Sequence, residues 1–165
     1  MRTRTKGFSL IELLIVVAII LIIAAIAIPN LLRSRIEANE ASATATMRTL
    51  GTAEITYAST YNSGFTDDLN KLGAPAAGAQ PTALVSDLVD PVLSGKIAGT
   101  TNSFTKNGYT FTYTGTGVFG AIATYALNAE PNSRGSSGQR SFFSDQSAVI
   151  HANATAVATS GDNPI

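Results

Sequence analysis

Cysteine and tryptophan are absent from the 165 residues, and histidine occurs once, at His151. Without cysteine there is no disulfide framework, no thiolate zinc site and no iron–sulfur cluster, and the redox compartment cannot be read from thiols. Charge is scarce as well: Asp, Glu, Lys and Arg make up 13% of the chain and sum to zero. That balance is uneven. Arg2, Arg4 and Lys6 crowd the N-terminus, and everything after Gly7 carries eight basic against eleven acidic residues. With no basic stripe, nucleic acid is not predicted as a partner.

What the chain has in place of charge is one long apolar run. From Phe8 to Ile28 only Ser9 and Glu12 are not apolar. A helix needs roughly 20 such residues to cross a bilayer. The basic cluster in front of the run favours a cytoplasmic N-terminus, with the bulk of the chain outside. The remaining 137 residues suffice for one domain with its own core. Three readings of the run compete. A secretory signal has Ala25-Ile26-Ala27 as a cleavage site, but the run exceeds the roughly 7–15 residues of such a signal. A plain anchor leaves Glu12 unexplained, because a carboxylate near hydrocarbon costs a few kcal/mol unless something pairs with it.

The third reading rests on the junction. A basic leader ends in Gly7, an aromatic follows, and Glu12 stands fifth counting Phe8 as first. KGFSLIELLIVVAIILIIAAIAIP closely resembles the signal segment of type IV pilins and the pseudopilins of type II secretion. The resemblance implies cleavage between Gly7 and Phe8 by a membrane prepilin peptidase, followed by N-methylation of Phe8. It also supplies Glu12 with a partner, the amine of its own or a neighbouring subunit. An unpaired charge in low dielectric is costly and a paired one roughly compensated, so the pair would set subunit register. The implied partners are further copies in a helical filament, the peptidase, an inner-membrane assembly platform with its motor, and membrane lipid before assembly. The implied location is the inner membrane, then either a surface pilus or a periplasmic pseudopilus.

Beyond the run, Leu32, Ile36, Ala43, Met47, Leu50, Tyr57 and Tyr61 continue one stripe at helical period. Arg35, Glu37, Glu40, Arg48 and Glu54 read as the polar positions between them. One helix is predicted from Phe8 to Tyr61, ended by Asn62-Ser63-Gly64. Pro29 removes a backbone donor and crowds the carbonyl of Ala25, which predicts a kink there; two helices broken at Pro29 are the alternative. The stretch 73–81 reads as a loop, and 82–93 as a short helix around Leu84, Val85, Leu88 and Val89. Alternation predicts strands at Tyr109–Tyr113 and Ile122–Leu127, and a hairpin over Ser141–Ile150 with Phe142, Val149 and Ile150 available to the core. Residues 130–140 read as an exposed connection, and the tail after Ala158 as frayed.

The fold class is therefore α+β and pilin-like: a long kinked N-terminal helix, transmembrane in its first half, on a small C-terminal antiparallel sheet. The divisions are 1–7 leader, 8–28 membrane or filament-core helix, 29–61 amphipathic helix, and 62–165 globular. Members of the family often close their last loop with a cysteine pair; here sheet hydrogen bonds and packing have to hold it. The pseudopilin branch typically carries an Asp-Pro-Trp-like segment and a calcium site, and Asp90-Pro91 stands too early to match. No catalytic residue, metal site or cofactor is predicted. Ser144, Asp145 and His151 lack a nucleophile elbow, and Gly95-Lys96 lacks the rest of a P-loop. Asp67-Asp68 and Asp87 with Asp90 match no calcium loop. Asn153-Ala154-Thr155 is a formal glycosylation sequon, and Tyr57, Tyr61 and Phe65 read as packing aromatics and not as an electron path. The function expected is a structural subunit of a pilus; a pseudopilin or a membrane-anchored binding module that never polymerises are the alternatives.

Overall fold

The computed structural model describes residues 7–96, 100–118 and 121–165. Most of the leader therefore lies outside the described residues. A single helix, α1 (Leu10–Tyr61), runs 52 residues with Pro29 inside it, so the apolar run and the later stripe are one element and not two. It ends as the turn residues require. Asn62 and Gly64 take φ of 51° and 75°, and the Asn62 amide closes on the Ala58 carbonyl at 3.1 Å. A side chain at Gly64 would meet the Ile122 carbonyl oxygen at 2.3 Å, so only glycine fits where the chain leaves the helix.

The chain divides into two compact units, the first ending at Arg35 and the second spanning Ile36–Ile165. The second contains a six-stranded antiparallel sheet in the order of the sequence: β1 (Ser103–Lys106), β2 (Tyr109–Val118), β3 (Ala121–Pro131), β4 (Ser141–Asp145), β5 (Ile150–Asn153) and β6 (Asn163–Pro164). Asn107-Gly108, both at positive φ, makes the two-residue turn between β1 and β2. Alternation on β2 sends Tyr109, Phe111 and Tyr113 inward and the threonines outward. The inward face meets Ala43, Met47, Leu50 and Tyr57 of α1, joined by Leu69, Leu72, Val89 and Leu93 from the connection.

Three expectations are corrected. No helix forms over 82–93: Thr82 and Val85 bridge each other, Asp87 sits at φ 57°, and the Leu88 and Val89 amides donate to the Leu72 carbonyl. Of the apolar pairs there, Val89 is buried and Leu88 packs against the core, whereas Leu84 is exposed, and the left-handed Asp87 between the pairs breaks any helical path. Val149 is exposed, displaced by the turn at Ala148 (φ 59°). The tail is tied down, since β6 pairs with β5 and the Ile165 amide donates to the Ile150 carbonyl at 2.9 Å.

Candidate functional site

Gly7 is exposed with open space where a side chain would be, and Phe8 is 77% exposed. The junction is thus accessible. Ser9 precedes the first helical residue, and Glu12 Oε2 accepts its backbone N–H at 2.8 Å. This is the reciprocal half of a capping box, with the carboxylate at the positive end of the helix dipole. Seventeen large apolar residues between Phe8 and Leu32 are exposed in the isolated chain. At about 1.5–3 kcal/mol for each such side chain, this surface is untenable in water. Lipid or other protein must cover it. Pro29 lies in the same helix, far along from the Gly7–Glu12 cluster.

The second unit contains two carboxylates whose roles the sequence reading missed. Glu40 and Glu54 are both buried. Glu40 Oε1 accepts the Gln139 and Arg140 amides at 2.9 and 3.0 Å, and Oε2 accepts Arg140 Nε at 2.8 Å. Asn39 adds a bond from Nδ2 to the Ser137 carbonyl at 2.7 Å, so consecutive residues of α1 hold the 132–140 connection. Burial alone would push Glu40 up, but the bonds from Arg140 and Gln139 outweigh it and hold the carboxyl below its ordinary range. Glu54 accepts the Thr66 amide at 2.9 Å and the Thr66 hydroxyl at 2.6 Å, while Tyr113 Oη donates to the Thr66 carbonyl at 2.6 Å. Burial pushes Glu54 up, more than the Thr66 bonds offset. The signal for both was present: 40, 43, 47, 50, 54 and 57 alternate spacings of three and four, which places the carboxylates on the buried stripe.

The C-terminal loop is closed by side chains. Arg134 donates to the carbonyls of Gln139, Ala154 and Ala156 at 2.8, 3.1 and 2.7 Å. Asp162 accepts from Asn153 Nδ2 at 2.8 Å and from the Thr159 amide at 2.7 Å, and these bonds hold its carboxyl low. The Asn153 side chain is therefore engaged through both its oxygen and its nitrogen within the formal sequon. His151 Nδ1 donates to the Asp162 carbonyl at 2.7 Å. Ser144 is buried on the inner face of β4, whereas His151 pairs with Phe143 on the outer face, so the two cannot meet. Asp67 pairs with Lys71 at 2.6 Å, Asp68 caps the short 3₁₀ turn Leu69–Leu72, and Asp90 caps the Val92 and Leu93 amides. Tyr57 packs on Tyr61 and donates to the Ala83 carbonyl at 2.6 Å, and Phe65 packs edge-on to Tyr125.

The prokaryotic N-terminal methylation motif matches residues 2–28. The type IV major pilin protein PilA of Myxococcus xanthus is 42% identical over 76 residues, covering 46% of this chain and 34% of that protein. The type IV wide pilus major component PilA4 of Thermus thermophilus is 65% identical over 40 residues, covering 24% of this chain and 30% of that protein. The matches thus span about a third of the length of these relatives. No solved structure matches the chain. The N-terminal segment thus carries the prokaryotic N-terminal methylation motif, followed by a pilin-like α+β arrangement.

Proposed function

We propose that this chain is a type IV pilin-like structural subunit, cleaved after Gly7, N-methylated on Phe8 and polymerised into a surface filament. The observation that carries this reading is the methylation motif at 2–28 running straight into a helix whose apolar half is exposed on all sides. Such a surface fits lipid first and neighbouring helices later. The names of the relatives favour a pilus over a pseudopilus.

In this reading the peptidase, approaching from the cytoplasmic side, cuts the Gly7–Phe8 bond and creates a positive amine four residues before Glu12. The Ser9 amide holds one oxygen of that carboxylate, and the other is left for the amine of an incoming neighbour. Exchange of lipid for helix contacts yields little net hydrophobic gain, so an assembly platform and its motor supply the work of extraction. The Glu12–amine pair penalises axial misregister. Pro29 loosens the turn below it, which lets the span adjust as copies pack. The leader, the spanning half, the amphipathic half and the globular domain divide at residues 7, 28 and 61. The subunit is a building block and not an enzyme.

The test is mass spectrometry of the native N-terminus in sheared surface material and in membranes. N-methyl-Phe8 in the sheared fraction is expected. A chain starting at Met1, or after Ala27, would overturn the reading. N-methyl-Phe8 confined to membranes would turn it towards a pseudopilin.

A further inference from the structure

The outward face of α1 in the second unit is unlike an ordinary solvent face. Among its exposed residues from Ala41 to Tyr61 the single charge is Arg48. Exposed helix faces normally carry charges of both signs. Here the hydroxyls of Thr49 and Thr52 donate to carbonyls of their own helix, at 3.1 and 2.9 Å, leaving their methyl groups and the 51%-exposed Ile55 outward. Between this face and the β4–β5 turn lies a groove of about 240 Å³, lined by Met47, Arg48, Thr52, Ile55, Ala148 and Ile150. Among the described residues, the Arg48 guanidinium has no hydrogen bond or ion pair.

On the other flank of α1 a matching projection stands out. Residues 72–86 carry no charge, and Leu84 is 68% exposed, with Asp87 exposed three residues on. This loop is tied down by hydrogen bonds: Thr82 and Val85 exchange backbone bonds at 2.9 and 3.0 Å, Tyr57 Oη donates to the Ala83 carbonyl, and the Asp87 amide donates to the Gly73 carbonyl. Arg48 and Thr52 also line the groove on that side, with Leu88, so the crest of α1 separates a subunit's own Leu84 from the groove beside Ile55.

We propose that the Leu84–Asp87 loop of one subunit seats in the Arg48–Ile55 groove of the next, with Leu84 against Ile55 and Ala148 and Asp87 facing Arg48. The occupant is a second copy of this chain because the two surfaces are complementary in both charge and polarity, and no residue of a subunit's own 82–88 loop lines its groove beside Ile55. A contact between two different patches is heterologous, and repeated without closing it builds an open filament. The proposal rests on the filament reading above and adds a globular contact to the helical one.

The chain lacks cysteine, so engineered thiols report without background. With the full chain in cells, Ile55→Cys combined with Leu84→Cys is expected to give a ladder of disulfide-linked multimers on oxidation, whereas either substitution alone gives none. Arg48→Asp and Asp87→Arg are each expected to lower sheared filament yield about tenfold, with the combination restoring most of it. Wild-type filaments without a ladder, dimers from one cysteine alone, or a combined charge swap no better than its parts would overturn the contact. A wild-type chain that retains Met1 and yields no sheared material would instead overturn the filament reading, and the contact with it.

Discussion

Between Leu10 and Arg35 the helix buries none of its large side chains, whereas between Ile36 and Tyr61 it buries nine residues, two of them carboxylates. The same backbone serves two solvents. From Leu13 to Ile28 the helix is apolar on every face, so any rotation about its axis offers a neighbour much the same surface. Dispersion contacts of that kind hold helices together without choosing a register. Between Leu10 and Ile28 the single charge that distinguishes one axial position from another is Glu12. The second half is the reverse case: its apolar stripe is narrow, and polar pins at Glu40 and Glu54 fix which loop lies where.

The comparison breaks most visibly at Glu12. Glu12→Ala is expected to insert and lose its leader normally but to lower filament yield by well over tenfold, because an unpaired buried charge costs about 3–5 kcal/mol. Immunoblots of membrane and sheared fractions read both steps at once. Normal yield would show that the apolar half finds its register without a charge.

Within the packed half the corresponding residue is Glu54. Glu54→Ala strands a buried Thr66 amide and hydroxyl and opens a small void, for a loss of about 2–4 kcal/mol by urea denaturation of the full chain in detergent. Pins of this sort were the least legible part of the molecule. Glu12 is conspicuous in sequence because it interrupts an apolar run. Glu40 and Glu54 look like ordinary surface carboxylates, although their spacing places them on the buried stripe. The strands β2 to β4 were readable from alternation, whereas the second arm of the expected hairpin ended at Ile150, where β5 begins; β1 has a single inward aromatic, Phe104, and β6 is two residues held by β5. The Asn107-Gly108 pair was the local signal that could have revealed β1.

A smaller effect should appear where family resemblance suggested a weak point. Pilins that close their last loop covalently do so with cysteines; in this chain Arg134 gathers three carbonyls from two loops. Lysine keeps the charge but not the planar fork. Arg134→Lys is expected to cost about 1–2 kcal/mol and to make the 154–162 segment the first site of limited proteolysis. Unchanged cleavage would mean that β5–β6 pairing alone holds the tail.

The subtlest expectation concerns pH, where the two pins act with opposite sign. Glu40 is held low in the folded chain by Arg140 and Gln139, so its contribution is present above the unfolded carboxyl range and is lost as pH falls through the folded value. Glu54 is pushed up by burial, so its contribution is complete below the unfolded range and fades as pH rises towards its folded value. Their sum predicts a stability maximum on the mildly acidic side, with each limb limited to about 1.4 kcal/mol per pH unit for one proton. Glu54→Gln keeps an acceptor for Thr66 and removes the titration, so the limb above the carboxylate range should flatten while the acid limb persists. Glu40→Gln should do the converse, weakening the acid limb. Denaturation midpoints of the full chain, taken in steps across both limbs, separate the two. An unaltered upper limb in Glu54→Gln would mean that Glu54 is already ionised when folded. The Thr66 amide and hydroxyl, with Tyr113 holding Thr66 in place, would then be compensating a buried charge.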